Sequence, residues 1–185
     1  MTTALLSLGS NLGDPYAQIA CAHQFFGPWS VATSRLYRTA PWGVTDQPDF
    51  LNTALVVTDP AADPATWLRR AHAAEQHAHR ERTLRWGPRT LDVDIIACWD
   101  SETGEQLRSD DPALTLPHPR AEERAFVLIP ALEALELTEQ RPETGKLAFP
   151  HALITRFREA LCNLPAAEQL GVRLENPEQS EGGAV

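Results

Sequence analysis

The segment Arg80-Glu-Arg-Thr-Leu-Arg-Trp-Gly-Pro-Arg-Thr-Leu-Asp-Val-Asp-Ile-Ile96 joins an arginine-rich stretch to two closely spaced aspartates. Gly87 and Pro88 disfavour a helix here, so the arginines are predicted to lie in a loop. The apolar residues that follow alternate with Asp92 and Asp94, which is typical of a half-buried strand. Residues i and i+2 of a strand point to the same face, so the two carboxylates should project together.

Two carboxylates on one face repel each other unless a cation lies between them. Mg²⁺ takes oxygen ligands from one or two carboxylates and leaves its other positions to water or phosphate oxygens. The neighbouring arginines suit the same phosphates. An isolated Asp-x-Asp pair is more often a solvated strand end, and an arginine cluster is more often exposed surface. Their adjacency favours a ligand that carries phosphate and metal together, such as a nucleoside triphosphate with Mg²⁺.

The composition is that of one globular domain with an acidic surface. The chain has 185 residues, of which 43% are hydrophobic and 22% charged, and its formal net charge is −9. One domain is predicted over residues 1–170 and a flexible acidic tail over 171–185, because residues 176–185 hold few apolar side chains. The negative charge argues against nucleic-acid binding, since phosphate backbones are met by broad positive surfaces.

The sequence favours a cytoplasmic location and a monomer. No apolar run approaches the length of a membrane span, and the N-terminal residues Met1-Thr-Thr lack the basic and apolar regions of a secretory signal. The three cysteines, Cys21, Cys98 and Cys162, are scattered and odd in number. This pattern favours reduced thiols over a disulfide framework or a zinc site.

The order of predicted elements indicates the fold class. The elements are, in order, a strand over 4–8, a helix over 14–26, strands over 31–39 and 50–58, a helix over 63–79 and a strand from Asp92. This βαββαβ order predicts an α+β, ferredoxin-like core with an antiparallel sheet and helices on one face. A turn-rich stretch over 100–112 and helices over 122–137 and up to Leu161 form a C-terminal extension.

The twelve residues from Arg85 to Ile96 resemble the signature of the 6-hydroxymethyl-7,8-dihydropterin pyrophosphokinases, a family of folate-pathway enzymes. The element order is also similar to that family's fold. The resemblance covers about residues 4–135. Its other pieces are Leu8-Gly-Ser-Asn-Leu-Gly13, Tyr37-Arg-Thr39, Asp46-Gln-Pro-Asp-Phe-Leu-Asn52, Glu75, Pro117-His-Pro-Arg120 and Arg124-Ala-Phe126.

The resemblance implies an ATP-dependent diphosphotransferase. It would transfer pyrophosphate from ATP to the hydroxymethyl group of 6-hydroxymethyl-7,8-dihydropterin and release AMP. Two Mg²⁺ ions would be held by Asp92 and Asp94, and Arg80 and Arg89 would be the catalytic arginines. ATP and the pterin are the expected partners. Contacts to ATP are implied for Glu75, Arg82, Arg85, Trp86, Ile95, His118 and Arg124.

The resemblance also implies a pterin site. In it Phe50 and Phe126 sandwich the flat ring and Asn52 reads its amide edge. From the residues alone, core packing is the simpler interpretation of both phenylalanines. Asn52 stands out by itself, because a carboxamide in an apolar strand needs a partner. The full set implied for the pterin is Thr39, Ala40, Trp42, Phe50, Asn52 and Phe126.

Two residues depart from the family's pattern, and one alternative function stays open. His79 stands where the family usually has glycine, before the first loop arginine, and Trp42 is bulkier than the usual aliphatic residue. The alternative is a non-catalytic ferredoxin-like module that binds RNA or another anion. Such a module would need stacking aromatic side chains on the sheet and a basic surface.

Overall fold

The computed structural model describes residues 1–41, 46–79, 88–141 and 147–176. Two 3₁₀ turns lie at Gly27–Trp29 and Ala121–Glu123. The elements within these ranges are β1 (Thr2–Ser10), α1 (Pro15–Phe26), β2 (Ser30–Thr33), β3 (Tyr37–Thr39), β4 (Phe50–Asp59), α2 (Pro64–His77), β5 (Asp92–Asp100), β6 (Gln106–Leu107), β7 (Ser109–Asp111), β8 (Leu114–Leu116), α3 (Ala125–Glu139), α4 (His151–Asn163), α5 (Ala166–Leu170) and β9 (Arg173–Leu174).

The main sheet confirms the predicted ferredoxin-like core. Its strand order is β6-β5-β1-β4-β3-β9, and β2 also pairs with β4. The central strand β1 is antiparallel to both β4 and β5. Strands β7 and β8 form a separate hairpin, in which β7 lies within the turn-rich stretch over 100–112 and β8 directly follows it. The fold is therefore the predicted α+β arrangement with an antiparallel sheet.

The strand predicted over 31–39 is divided into β2 and β3. The break lies at Ser34, whose side-chain hydroxyl accepts a hydrogen bond from the Ala54 N–H at 2.9 Å. A carbonyl of the neighbouring strand would normally fill that role. Because the hydroxyl replaces a backbone group, the chain leaves the regular ladder at this point, which a pattern of apolar residues does not reveal.

Helices cover both faces of the sheet. The predicted helices α1 and α2 lie together on one face, where Phe26 and Trp67 pack against Leu6 of β1. The other face is covered by α3 and α4 of the C-terminal extension, where Leu128 and Phe157 pack in one cluster with the sheet. The layering follows from strand alternation, which sends successive β1 side chains to opposite faces. Within the described ranges, no helix combines the length and the apolar run that crossing a membrane requires.

Both core helices begin with the caps that the sequence predicts. Asp14 accepts a hydrogen bond from the Ala17 N–H and Asp63 accepts one from the Thr66 N–H, each followed by proline at the first helical position. Helix α2 ends less regularly, because His79 has a φ of 52°. Its N–H donates to the Gln76 carbonyl at 3.0 Å. The left-handed backbone is the reason that glycine suits this position.

Replacing His79 with glycine is expected to raise the free energy of unfolding by about 0.5–1 kcal/mol. The substitution removes the steric contact between the His79 Cβ atom and the backbone in the left-handed conformation. This gain outweighs the larger conformational entropy that glycine gives to the unfolded chain. Urea unfolding of the two proteins measures it. Ala73, exposed in the middle of α2, is the matched control, and Ala73→Gly should lower the free energy of unfolding by about 1 kcal/mol. If His79→Gly lowered the free energy of unfolding as much as Ala73→Gly, the left-handed backbone at His79 would not be strained.

The end of the described chain adds a short strand to the main sheet. Within the predicted tail over 171–185, Arg173 and Leu174 pair with β3. The Glu175 N–H continues this pairing with the Leu36 carbonyl at 2.9 Å. An open edge of β3 supplies the backbone partners that the composition of the tail does not show. Residues 177–185 of the predicted tail lie outside the described residues.

Candidate active site

A cleft opens on the α3 face of the sheet, where α3 begins. Side chains alternate between the two faces along each strand, so the lining residues that belong to strands share a face with buried residues such as Leu5 and Val56. Helix α3 starts at Ala125 and covers the apolar part of that face, so the polar end stays open. The cleft is lined by Ser7, Gly9, Thr39, Ala40, Phe50, Asn52, Arg89, Asp92, Asp94, Arg124 and Phe126.

The central strand divides the cleft into two halves. Gly9 of β1 is paired with Asn52 of β4 on one side and with Asp92 of β5 on the other. Adjacent strands lie about 4.8 Å apart, so the backbones at Asn52 and Asp92 are separated by about 10 Å. We refer to the Asp92 side as the acidic half and to the Asn52 side as the aromatic half.

The acidic half brings together the two predicted aspartates and two arginines. Asp92 and Asp94 are half-buried and line the same cleft, as their spacing predicts. Arg89 Nη1 donates to Asp92 Oδ2 in an ion pair whose side chains are 20% and 21% exposed. Burial lowers the pKa of Arg124, and the charges of Asp94 and Asp92 oppose that shift. Arg124 stays protonated, since the ordinary pKa of arginine is far above neutrality.

Asn11 fixes the backbone of Arg89, a role that the sequence did not single out. The Arg89 N–H donates to Asn11 Oδ1 at 2.9 Å, and the Asn11 N–H donates to the Arg89 carbonyl at 3.1 Å. The Asn11 amide nitrogen also donates to Gln47 Oε1 and to the Pro48 carbonyl, each at 2.9 Å. Asn11 is 3% exposed. One buried side chain therefore joins the turn after β1 to the segments that precede β4 and β5.

The aromatic half holds the residues predicted to bind the pterin. Asn52 is 4% exposed, and its amide nitrogen donates to Thr39 Oγ1 at 2.8 Å. A Cβ atom at Gly9 would lie 3.1 Å from Asn52 Oδ1, so glycine leaves the carboxamide its space. Phe50 and Phe126 are half-buried at the cleft wall. Core packing alone therefore does not describe these two rings, because both also line the cleft.

The phenylalanines also border the acidic half. The guanidinium carbon of Arg89 lies 5.6 Å from the Phe50 ring centroid. The corresponding distance from Arg124 to the Phe126 ring is 5.7 Å. These distances are within the usual range of cation–π contact. Each arginine is thus held beside one aromatic wall, which places fixed positive charge where the two halves meet.

Three of the described residues predicted to contact ATP do not line the cleft: Glu75, Ile95 and His118. Glu75 is 5% exposed on α2 and accepts a hydrogen bond from the Val93 N–H at 3.1 Å. Ile95 is 4% exposed and packs in the core between the sheet and α2. Alternation along β5 sends Val93 and Ile95 to the face opposite Asp92. Glu75 supports the aspartate strand from behind the sheet, and its predicted contact with ATP stays a prediction.

His118 lies beside the acidic half, near Arg124 and Asp92. The backbone N–H of His118 donates to the Ile96 carbonyl at 2.8 Å, and the imidazole Nδ1 accepts from the backbone N–H of Arg120 at 3.2 Å. Burial lowers the pKa of His118, the positive charges of Arg124 and Arg120 add to the shift, and Asp92 opposes it. Five further predicted site residues lie outside the described residues: Trp42, Arg80, Arg82, Arg85 and Trp86.

A family model described as 7,8-dihydro-6-hydroxymethylpterin-pyrophosphokinase (HPPK) matches residues 5–136. The chain belongs to this family. The match includes every residue that lines the cleft. The 2-amino-4-hydroxy-6-hydroxymethyldihydropteridine pyrophosphokinase of Mycobacterium tuberculosis is 43% identical over 180 residues, which is 96% of this chain and 92% of that protein. The enzyme of that name from Methylorubrum extorquens is 42% identical over 137 residues, 72% of this chain and 82% of that protein.

Solved structures show the same fold. A crystal structure described as HPPK-DHPS in complex with substrates superposes with a TM-score of 0.54 at 13% sequence identity. The match covers 87% of this chain and 43% of that chain, so this chain spans less than half of the HPPK-DHPS polypeptide. At this level of identity the likeness concerns the fold alone. It agrees with the ferredoxin-like core described above.

Family membership establishes the reaction. The protein is an ATP-dependent pyrophosphokinase that transfers pyrophosphate from ATP to the hydroxymethyl group of 6-hydroxymethyl-7,8-dihydropterin, a step of folate biosynthesis. The reaction predicted from the resemblance is therefore confirmed. ATP and the pterin follow as its substrates.

Proposed function

We propose that the cleft is the active site, with ATP phosphates in the acidic half and the pterin in the aromatic half. The main support for this proposal is that a single cleft is lined by residues predicted separately for the two substrates, including Asp92, Asp94, Asn52 and Phe126. The two halves are about 10 Å apart across β1. A bicyclic ring held at Asn52 spans roughly this distance and brings its hydroxymethyl group toward the aspartates.

Asp92 and Asp94 are proposed to hold two Mg²⁺ ions. The donors fit this metal, because both are carboxylates and Mg²⁺ uses one or two of these with phosphate and water oxygens. Asp92 is ionised in its ion pair with Arg89, which is the form of a carboxylate that binds a metal. Within the described ranges, no group of three or more His, Cys, Asp or Glu side chains is arranged to hold a metal. Bound Mg²⁺ supplies positive charge to phosphate oxygens.

Arg89 and Arg124 are proposed to stabilise the charge that develops during transfer. Attack on the β-phosphorus builds negative charge on the equatorial oxygens and on the AMP that leaves. Both guanidinium groups are partly buried at the cleft, and fixed charge acts more strongly where water is excluded. Arg80 as a second catalytic arginine, and Arg82, Arg85, Trp86, Ile95, Glu75 and His118 as nucleotide contacts, stay proposals that rest on the family resemblance.

The aromatic half is proposed to bind the pterin ring edge-on at Asn52. A flat ring with an amide edge calls for aromatic faces and in-plane hydrogen-bond partners. Phe50 and Phe126 supply the faces, while Asn52 and Thr39 form a preset polar pair on the floor. Ala40 completes the wall, and Trp42 is proposed as a further contact by resemblance.

Replacing Asn52 with alanine tests the pterin assignment. We expect the dissociation constant of the pterin to rise about 10-fold to 100-fold, because a buried hydrogen-bonding group that reads the ring is removed. The affinity for a non-hydrolysable ATP analogue with Mg²⁺ should stay within about twofold of the wild type. Calorimetric titration with the analogue, and then with hydroxymethyldihydropterin, measures both constants.

The matched control is Asn163→Ala, since Asn163 is exposed at the end of α4. It should leave both constants unchanged. Thermal unfolding of each variant shows that the protein is folded at the temperature of the titration. If Asn52→Ala weakened the ATP analogue and spared the pterin, the two halves of the cleft would be assigned the wrong way round.

A further inference from the structure

The helix that carries two cleft residues is capped by a distant glutamate. Arg124 is the N-cap of α3, and a guanidinium has no acceptor for the free N–H groups of the first turn. The Ala125 N–H instead donates to Oε1 of Glu168, on α5, at 3.2 Å. Ala125 is fully buried and lies between Arg124 and Phe126, both of which line the cleft. The carboxylate also carries negative charge to the positive end of the helix dipole.

Helix α5 is itself held in a fixed place. Gln169 Nε2 donates to the carbonyls of Leu161 and Leu164 at the end of α4, each at 2.9 Å. Helix α4 packs on α3 in the core cluster on this face through Leu153 and Phe157. The position of Glu168 is therefore set by the C-terminal extension, independently of the turn that it caps.

The C-terminal segment that carries Glu168 also contacts the opposite wall of the cleft, through Glu175. Glu175 accepts two hydrogen bonds from Arg38, from Nε at 2.8 Å and from Nη2 at 2.9 Å, and a third from the Tyr16 hydroxyl. Its side chain is 12% exposed, and the hydrogen bond from Arg38 lowers the pKa of the carboxyl group. Arg38 precedes Thr39 and Ala40, which line the aromatic half. Strand β9 adds backbone pairing along β3.

We infer that residues 165–176 form a strap that positions both walls of the pterin half, with Glu168 and Glu175 as its two anchors. The inference rests on the assignment of this half to the pterin. Glu168 acts through Ala125 on Phe126, and Glu175 acts through Arg38 on Thr39 and Ala40. Both are positioning residues, since neither lines the cleft. The strap lies beyond residue 136, outside the part of the chain that defines the family.

Steady-state kinetics of three variants test the strap. Glu168→Ala and Glu175→Ala should each raise the KM for hydroxymethyldihydropterin about fivefold to tenfold, because a cap or ion pair that orients a wall is lost. The KM for ATP should stay within about twofold. Glu168→Gln keeps an acceptor oxygen for the Ala125 N–H and should restore most of the pterin KM. Glu159→Ala, on the exposed side of α4, is the control and should match the wild type.

Thermal unfolding separates positioning from general stability. If Glu168→Ala and Glu175→Ala only lower Tm, and the folded enzyme keeps its pterin KM, the strap inference is overturned. Glu168→Gln supplies the test even if an alanine variant does not fold, since a pterin KM as high as that of Glu175→Ala would contradict the capping role.

Asn52→Ala, measured alongside, distinguishes failure of the strap from failure of the pocket. An unchanged pterin KM in Asn52→Ala overturns the assignment of the aromatic half, and the strap inference with it. A raised pterin KM in Asn52→Ala, with wild-type values in both strap variants, overturns the strap alone.

Discussion

Asp94→Asn is expected to lower kcat by about 10³-fold. The variant removes one of the two carboxylates that face the cleft and with it the proposed Mg²⁺ ligand, while the side-chain shape is kept. Loss of one group that organises charge in the transition state costs about 10²–10³ in rate, and a metal ligand in phosphoryl transfer belongs at the upper end of that range. AMP formation in a pterin-dependent assay, at saturating ATP and Mg²⁺, measures the effect.

The control is Asp110→Asn, because Asp110 is an exposed aspartate on β7 away from the cleft lining. It should retain wild-type turnover. Titration of Mg²⁺ adds a second readout, since Asp94→Asn should need a higher Mg²⁺ concentration for half-maximal rate. Near-normal AMP formation by folded Asp94→Asn would falsify the metal assignment.

Arg89→Ala is expected to lower kcat by about 10³-fold as well, with a smaller effect on the KM for the pterin. An arginine that stabilises a transferred phosphoryl group contributes about 10³ or more to the rate. The backbone of Arg89 is fixed by Asn11 through two hydrogen bonds, so removal of the side chain should leave the segment in place. Arg89→Lys should recover only part of the rate, because an ammonium cannot make paired contacts to phosphate and carboxylate.

Arg158→Ala is the matched control, since Arg158 forms an ion pair with Glu136 and its side chain is 57% exposed. Rapid-quench measurement of a single turnover shows whether the loss in Arg89→Ala lies in the transfer step. A variant that kept its single-turnover rate and lost only pterin affinity would show that Arg89 belongs to binding of the acceptor instead.

Local pattern was sufficient to predict the fold class and the common face of the two aspartates. Alternation of Asp92 and Asp94 with apolar residues places both carboxylates on one face, whatever packs around the strand. The caps at Asp14 and Asp63 follow from residue type and the prolines beside them. The mismatch of His79 with its position was also visible in the sequence, and the left-handed φ of 52° gives its cause.

Pairing between distant segments decided what local pattern could not. The register of β1 with β4 and β5 puts Gly9 between Asn52 and Asp92, so one cleft serves both substrates in the proposed site. The break at Ser34 depends on a hydroxyl that bonds across to Ala54. In the sequence Glu75 looks like an ordinary helix residue. Because α2 packs behind β5, the Glu75 carboxylate accepts a hydrogen bond from the Val93 N–H. Each result depends on which strand lies next to which.

The sequence by itself therefore determined the element order, the paired aspartates and, through the family resemblance, the reaction. Only the tertiary structure decided which apolar side chains line the cleft and which fill the core. Phe50 and Phe126 are half-buried because α3 begins at Ala125 and leaves that end of the sheet open. The tertiary structure also gave the C-terminal segment its place, since Glu168 and Glu175 find their partners 43 and 137 residues away along the chain. Periodicity reports the face on which a side chain lies, whereas its neighbours are set by contacts that chain folding alone creates.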